Sequence, residues 1–190
     1  MDALGIARTH VAGFSMGGAI AQELALLRPA LVRSLVIVGS WARSDRLFRE
    51  LCEGLAYTAG TADDAEAWLR SFLPLVYSPA VYADGRIDAI VAAAIANPYP
   101  QETEAFQRTA RAIGHHDTLD RLPLIAAPTL VVAGLEDVLC PPRHSRQIAA
   151  AIPGARLVEV PDQAHQPFQE DPAAFDALVE AFWEEVDRAG

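Results

Sequence analysis

Apolar and polar positions along this chain follow two different periods. Four short runs read as strands: residues 9–14, 35–38, 128–134 and 155–160. The third, Pro-Thr-Leu-Val-Val-Ala-Gly, is continuous and β-branched, as expected of a parallel strand covered on both faces. After the first run a helix is predicted from about Gly18 to Leu27, stopped by Pro29, with Ile20, Leu24 and Leu27 on its buried face. Residues 1–7 read as the tail of a preceding helix. Beyond residue 42 the pattern changes: acids, arginines and alanines recur at helical spacing, broken by Gly60, Pro74, Pro79, Pro98 and Pro100. About eighty residues of helix between two strands far exceed what a βα crossover needs. The pattern therefore predicts an α/β core made of residues 1–41 and 122–190, with a helical cap over 42–121.

The first strand ends in Gly13-Phe14-Ser15-Met16-Gly17, directly before the first helix. A serine in such a strand-to-helix turn is held in a strained, positive-φ conformation that lifts its hydroxyl off the scaffold. The flanking Gly13 and Gly17 are expected to sit where a side chain would crowd strand against helix. Three fixed positions at ordinary Gly and Ser frequencies match in about one chain in fifteen of this length, so context has to carry the reading. The glycine-rich turns of nucleotide-binding folds carry G-x-G-x-x-G or a Lys-Ser/Thr ending. Neither is present, and the chain has no lysine. The turn also aims the first N–H groups of the helix, Met16 among them, at the place where a tetrahedral intermediate carries its negative oxygen.

A serine hydroxyl needs a base to take its proton and a carboxylate to orient that base. Glu136 and Asp137 lie just past the end of the third strand, where α/β sheets place site residues. His165 follows the fourth strand and reaches the same edge. His10 lies at the start of the first strand, ahead of the elbow, His115 and His116 sit in a polar turn, and His144 opens a helix, so none of these follows a strand end.

With these residues the chain resembles the α/β-hydrolase family, in particular its small esterase, lactonase and cofactor-free haloperoxidase branch. The resemblance rests on Gly13-Phe14-Ser15-Met16-Gly17-Gly18, on Gly134-Leu135-Glu136-Asp137, on His165 before Pro167-Phe168, and on Asp171-Pro172 capping the last helix. It implies the chain order serine, acid, histidine, with Asp137 as the acid in place of Glu136. The family usually has glycine before its histidine, whereas Ala164 stands here. The resemblance also implies that the elbow strand is the fifth of eight, so that this chain carries the C-terminal part of the fold, about four parallel strands with flanking helices. The loop that supplies the second oxyanion donor would lie outside it, and losing one such donor costs about a hundredfold to a thousandfold in turnover. Three explanations are weighed: a start farther upstream, a second chain supplying the missing strands, or a non-catalytic remnant.

The expected function is a serine hydrolase cleaving a small carboxylic ester or lactone through an acyl-enzyme, with catalytic residues Ser15, Asp137 and His165, Met16 N–H in the oxyanion hole, and no cofactor or metal. Phe14 and Trp41 are assigned to the substrate pocket, and the aromatics Phe48, Trp68, Phe72, Tyr77, Tyr82, Tyr99 and Phe106 are candidates to face it from the cap. Arg43 is weighed as a carboxylate ligand against a solvated arginine. Two alternatives stand: a hydrolase-like fragment acting as a binding or assembly module, and a carbon–carbon bond hydrolase or perhydrolase using the same triad. Without an upstream neighbour the elbow strand would be an apolar edge, offering a route to a homo-oligomer.

Composition narrows the partners. A net charge of -10 argues against nucleic acid and anionic membranes. The longest apolar stretch, around 122–135, is interrupted by Pro123 and Pro128 and is too short to span a bilayer. The start Met1-Asp2 lacks the basic region of a secretory leader, and the cysteines Cys52 and Cys140 have no metal-ligand spacing. A cytoplasmic protein with reduced thiols is expected, with Cys140 either buried or lining the site.

Overall fold

The strands β1 (Thr9–Phe14), β2 (Val32–Val38), β3 (Thr129–Gly134) and β4 (Arg156–Val160) lie parallel, in that order, in a computed structural model that describes residues 1–189, the Asp2 side chain excepted. The register runs Phe14↔Val38 and then Val38↔Val132 and Val132↔Val158. Side chains therefore divide by parity. Val36, Val38, Leu130 and Val132 meet Val179 and Phe182 of the C-terminal helix α9 (Pro172–Ala189), whereas Leu35, Ile37 and Val131 face α1 (Met16–Leu27) and α7 (Pro142–Ala151). Both faces are covered, which is why β3 is buried at every position and shows no alternation. The expected cap on α9 is present: the Ala174 N–H donates to the Asp171 carboxylate, and Pro172 opens the helix.

Three expectations need correction. Ile20 and Leu27 are exposed, at 59% and 72%, and the buried face of α1 is instead Gly18, Ala19, Ala21, Gln22 and Ala25. The helix lies too close to the chain after β2 for larger side chains: a Cβ on Gly18 would stand 2.6 Å from that of Ser40. β2 begins at Val32, three residues before the apolar run, because Ser34 is buried and bonds the His10 ring at 2.7 Å. Residues 1–7 hold only a short 3-10 turn, Asp2–Leu4, followed by Gly5 at φ 66°.

Between β2 and β3 the chain forms five helices: α2 (Arg46–Thr61), α3 (Ala65–Phe72), α4 (Pro79–Ala83), α5 (Arg86–Ile95) and α6 (Thr103–Ile113). Asp45 and Asp64 cap α2 and α3 through their carboxylates. The insertion is clasped at its root, where Arg43 and Asp117 form an antiparallel bridge flanked by Ser44 N–H to His116 O and Thr118 N–H to Ala42 O. The Arg43 side chain pairs with Asp117 and Asp120, so it serves this clasp. Gln22 of α1 reaches the same root, donating to Trp41 O at 3.0 Å and accepting from Thr118 Oγ1 at 2.6 Å. No described helix is long and apolar enough to cross a membrane.

Burial lowers the pKa of His116 and His144, so the folded chain resists protonating them at a pH where the unfolded chain does so freely. The unfolded state then binds more protons, and stability rises with pH through that window. Thermal melts are expected to shift down as the pH falls below about 6.5, and His144→Gln to flatten that step. At more acidic pH a second loss follows as the Asp45 cap protonates, since the Phe48 N–H holds its carboxyl below the usual range. A melting temperature flat from neutral to mildly acidic pH would contradict this.

Candidate active site

Ser15 stands between β1 and α1 at φ 51°, ψ -120°, one of two described non-glycine residues with positive φ. The turn is held from both sides: Ser15 N–H donates to Val38 O at 2.8 Å, and Ser15 O accepts from Ser40 Oγ at 2.8 Å. Strand and helix approach so closely that a Cβ on Gly13 would lie 2.3 Å from Gly17 O. Gly17, contrary to expectation, has open space around its missing Cβ; the tight positions are Gly13 and Gly18. The Met16 N–H, the first of α1, donates to no described residue.

Asp137 and His165 meet at the same sheet edge. His165 Nδ1 lies 2.7 Å from Asp137 Oδ2, with both side chains almost fully buried. A carboxylate only accepts, so Nδ1 carries a hydrogen, and in the neutral ring Nε2 is the nitrogen with the free lone pair. The other Asp137 oxygen accepts from the Cys140 N–H at 2.7 Å. Glu136 is exposed. The Phe14 ring packs on His165, centroids 4.7 Å apart, and Ser15 follows directly in the chain. The Ser15 hydroxyl makes no hydrogen bond to the imidazole in this arrangement.

The loop carrying His165 is seated on two glycines. A Cβ on Gly134 would meet Ala164 O at 2.0 Å, and one on Gly39, itself at φ 51°, would stand 3.0 Å from His165 Nδ1. Ala164 is accommodated without strain, because the left-handed residue of this turn is Asp162, at φ 59°.

A cavity of about 140 Å³ opens beside Ser15, walled by Trp41, Phe48, Cys52, Leu55, Phe72, Phe106, Ala110, Ile113, Leu139 and Cys140, with Thr109 the only other hydroxyl. No charged side chain lines it. Trp41 was expected here; Phe14 is not part of the lining, because strand parity turns its ring to the α9 side, against His165 and Phe168. Of the insertion aromatics, Phe48, Phe72 and Phe106 face the cavity. Trp68 stacks behind Phe72, Tyr77 bonds Gln169, and Tyr82 and Tyr99 are exposed. Both cysteines are free and line the cavity; burial pushes the Cys52 thiol up to about 11 and also raises the Cys140 thiol well above its ordinary value. The remaining histidines lie elsewhere: His10 between Ser34 and Asp187, His116 on Thr118, His144 buried beside Phe48, His115 exposed. Among the described residues no cluster of His, Cys, Asp and Glu could hold a metal ion.

A family model described as the alpha/beta hydrolase fold matches residues 1–172. The chain belongs to the α/β-hydrolase family. Among its hydrolase relatives, a protein of Azorhizobium caulinodans named as a carbamate hydrolase, RutD, is 33% identical over 194 residues, covering 99% of this chain and 71% of the relative. A solved α/β-hydrolase structure from Mycobacterium tuberculosis H37Rv, described as a non-heme bromoperoxidase, BpoC, superposes with a TM-score of 0.88 at 30% identity, over 97% of this chain and 70% of that one. An enol-lactonase from Burkholderia xenovorans LB400 gives 0.84 at 28%, over 97% and 68%.

The close approaches at this edge of the hydrolase fold predict opposite outcomes for two glycines. Gly134→Ala is expected to cost at least about 2 kcal/mol, since backbone must move to admit the methyl. Gly17→Ala is expected to stay within about 0.5 kcal/mol, as a helical position with free space around it. Urea denaturation of both variants separates them, and equal stabilities would refute the packing described.

Proposed function

We propose that this chain is a serine hydrolase cleaving a neutral carboxylic ester or lactone with an apolar acyl or ring portion. The observation that carries the reading is the buried Asp137–His165 pair beside a serine held at positive φ, where an apolar cavity opens. In this mechanism Ser15 Oγ bonds to the substrate carbonyl carbon while its proton passes to His165 Nε2. The imidazolium so formed is held by Asp137 Oδ2. The carbonyl oxygen takes up the electron pair and faces the Met16 N–H. Collapse expels the alcohol, which leaves with the proton from Nε2, and a water repeats the sequence to release the acid and free the serine. Rotation of the Ser15 side chain toward the ring precedes the first step, because no hydrogen bond joins them at rest; such bonds tighten on substrate binding.

The named activities of similar proteins differ: carbamate hydrolysis, enol-lactone hydrolysis, bromoperoxidation. The lining of the cavity supports the lactone and ester side of that range, since an anionic substrate portion would be desolvated there without a counter-charge. Its volume is close to that of an engineered apolar cavity of about 150 Å³ that binds benzene, so a single ring or a short alkyl chain fits. In this reading helices α2–α6 act as a cap that keeps water from the acyl-enzyme.

A fluorophosphonate probe is expected to label the folded protein at Ser15, with labelling abolished in Ser15→Ala; a folded protein that stays unlabelled sinks the proposal. Asp137→Asn should lower kcat by up to about ten-thousandfold, through loss of the tautomer. On a panel of p-nitrophenyl esters, Ala110→Leu should raise KM for hexanoate by about tenfold while leaving acetate nearly unchanged, because the three added carbons fill part of the cavity. Equal effects on both esters would place the acyl chain elsewhere.

A further inference from the structure

Glu170 ends the short helix α8 (Pro167–Glu170) five residues after His165. Its Oε1 accepts two backbone hydrogen bonds from different parts of the chain, Ala164 N–H at 3.0 Å and Ser78 N–H at 3.2 Å. Ala164 directly precedes the histidine and is buried. Ser78 belongs to the insertion, and the residues before it bond the same loops: His165 N–H donates to Val76 O at 3.0 Å, and Leu139 N–H to Leu75 O at 3.1 Å. Residues 75–78 thus lie across both the acid loop and the histidine loop, with Glu170 clamping the far side. Arg86 of α5 donates to Glu170 O at 2.9 Å, tying α8 to the insertion a second time.

We propose that Glu170 is a positioning residue for His165: its carboxylate fixes the Ala164–His165 peptide against residues 75–78 and so aims the imidazole at Ser15. The peptide is trapped between this clamp and Gly134, whose Cβ position lies 2.0 Å from Ala164 O. Removing the carboxylate leaves two N–H groups without an acceptor, both on buried residues, and lets the peptide turn. Misplacing a catalytic group by about 1 Å costs about a hundredfold in rate. The inference rests on the Ser15–His165–Asp137 reading above. The insertion, in this view, is part of the framework that holds the base as well as a wall of the cavity.

The test compares Glu170→Ala, Glu170→Gln and Glu170→Asp with wild type in ester turnover, fluorophosphonate labelling rate and circular dichroism. Folded E170A is expected to lose at least about tenfold in kcat and labelling rate with KM within about threefold. E170Q keeps a carbonyl acceptor in the same place and should stay within about threefold of wild type. Should E170A fail to fold, E170D decides, since it keeps the charge but withdraws the oxygens by one methylene: a kcat loss of at least about fivefold is expected. Folded E170A with wild-type kcat, E170Q as impaired as E170A, or E170D with unchanged kcat would each overturn the positioning role while leaving the triad reading intact. A folded wild-type protein unlabelled at Ser15 would overturn both.

Discussion

At the carboxyl edge of the sheet, backbone lies directly against backbone. Gly13 touches the first turn of α1, Gly134 lies under the Ala164 carbonyl, and Gly39 lies beside the His165 ring, so three loops from distant parts of the chain converge within one side-chain length. The parallel register places the strand ends at the same level, and the missing side chains let the loops fold inward over them. Every group in the candidate site hangs from one of these contacts. Ser15 is lifted by the first, Asp137 follows the second by three residues, and His165 is seated on the second and third.

Much of this was legible in the sequence because it follows from short-range chemistry. The four strands appear as apolar runs, and Ser15 and His165 could be named from their places just past strand ends, whereas the choice of Asp137 over its neighbour Glu136 came from the family resemblance. What the pattern hid was what depends on distance between elements. Ile20 and Leu27 carry the right spacing for a buried face, but spacing does not reveal that α1 turns Gly18, Ala19, Ala21, Gln22 and Ala25 inward, with Gly18 pressed against Ser40. Phe14 is adjacent to Ser15 in sequence yet points to the opposite side of the sheet. Arg33 and Ser34 broke the apolar run of β2, although Ser34 is buried with a histidine partner. Glu170 and residues 75–78 act through backbone N–H and C=O groups, which leave no periodicity to read.

The insertion divides into two packed groups with different duties. Phe48 and Cys52 of α2 join Trp41 and Cys140 around the cavity, while Leu73, Val76, Tyr77, Val81, Ile87 and Val91 form a separate apolar cluster next to the histidine loop. A change in the first group alters what fits; a change in the second alters how firmly the loops are held. The two groups meet at Phe72 and Leu139, which line the cavity and also pack against the second cluster.

Gln22 bonds both roots of the insertion from the helix that begins beside Ser15, and it is wholly buried. A buried amide bonded at both its nitrogen and its oxygen is costly to pull from either partner. If the roots tilted, the elbow helix would tilt with them and the serine would lose its footing. The segments between the insertion helices, such as residues 62–64 and 96–102, lie outside this anchor. One buried amide thus ties the serine turn and the base of the insertion into a single unit.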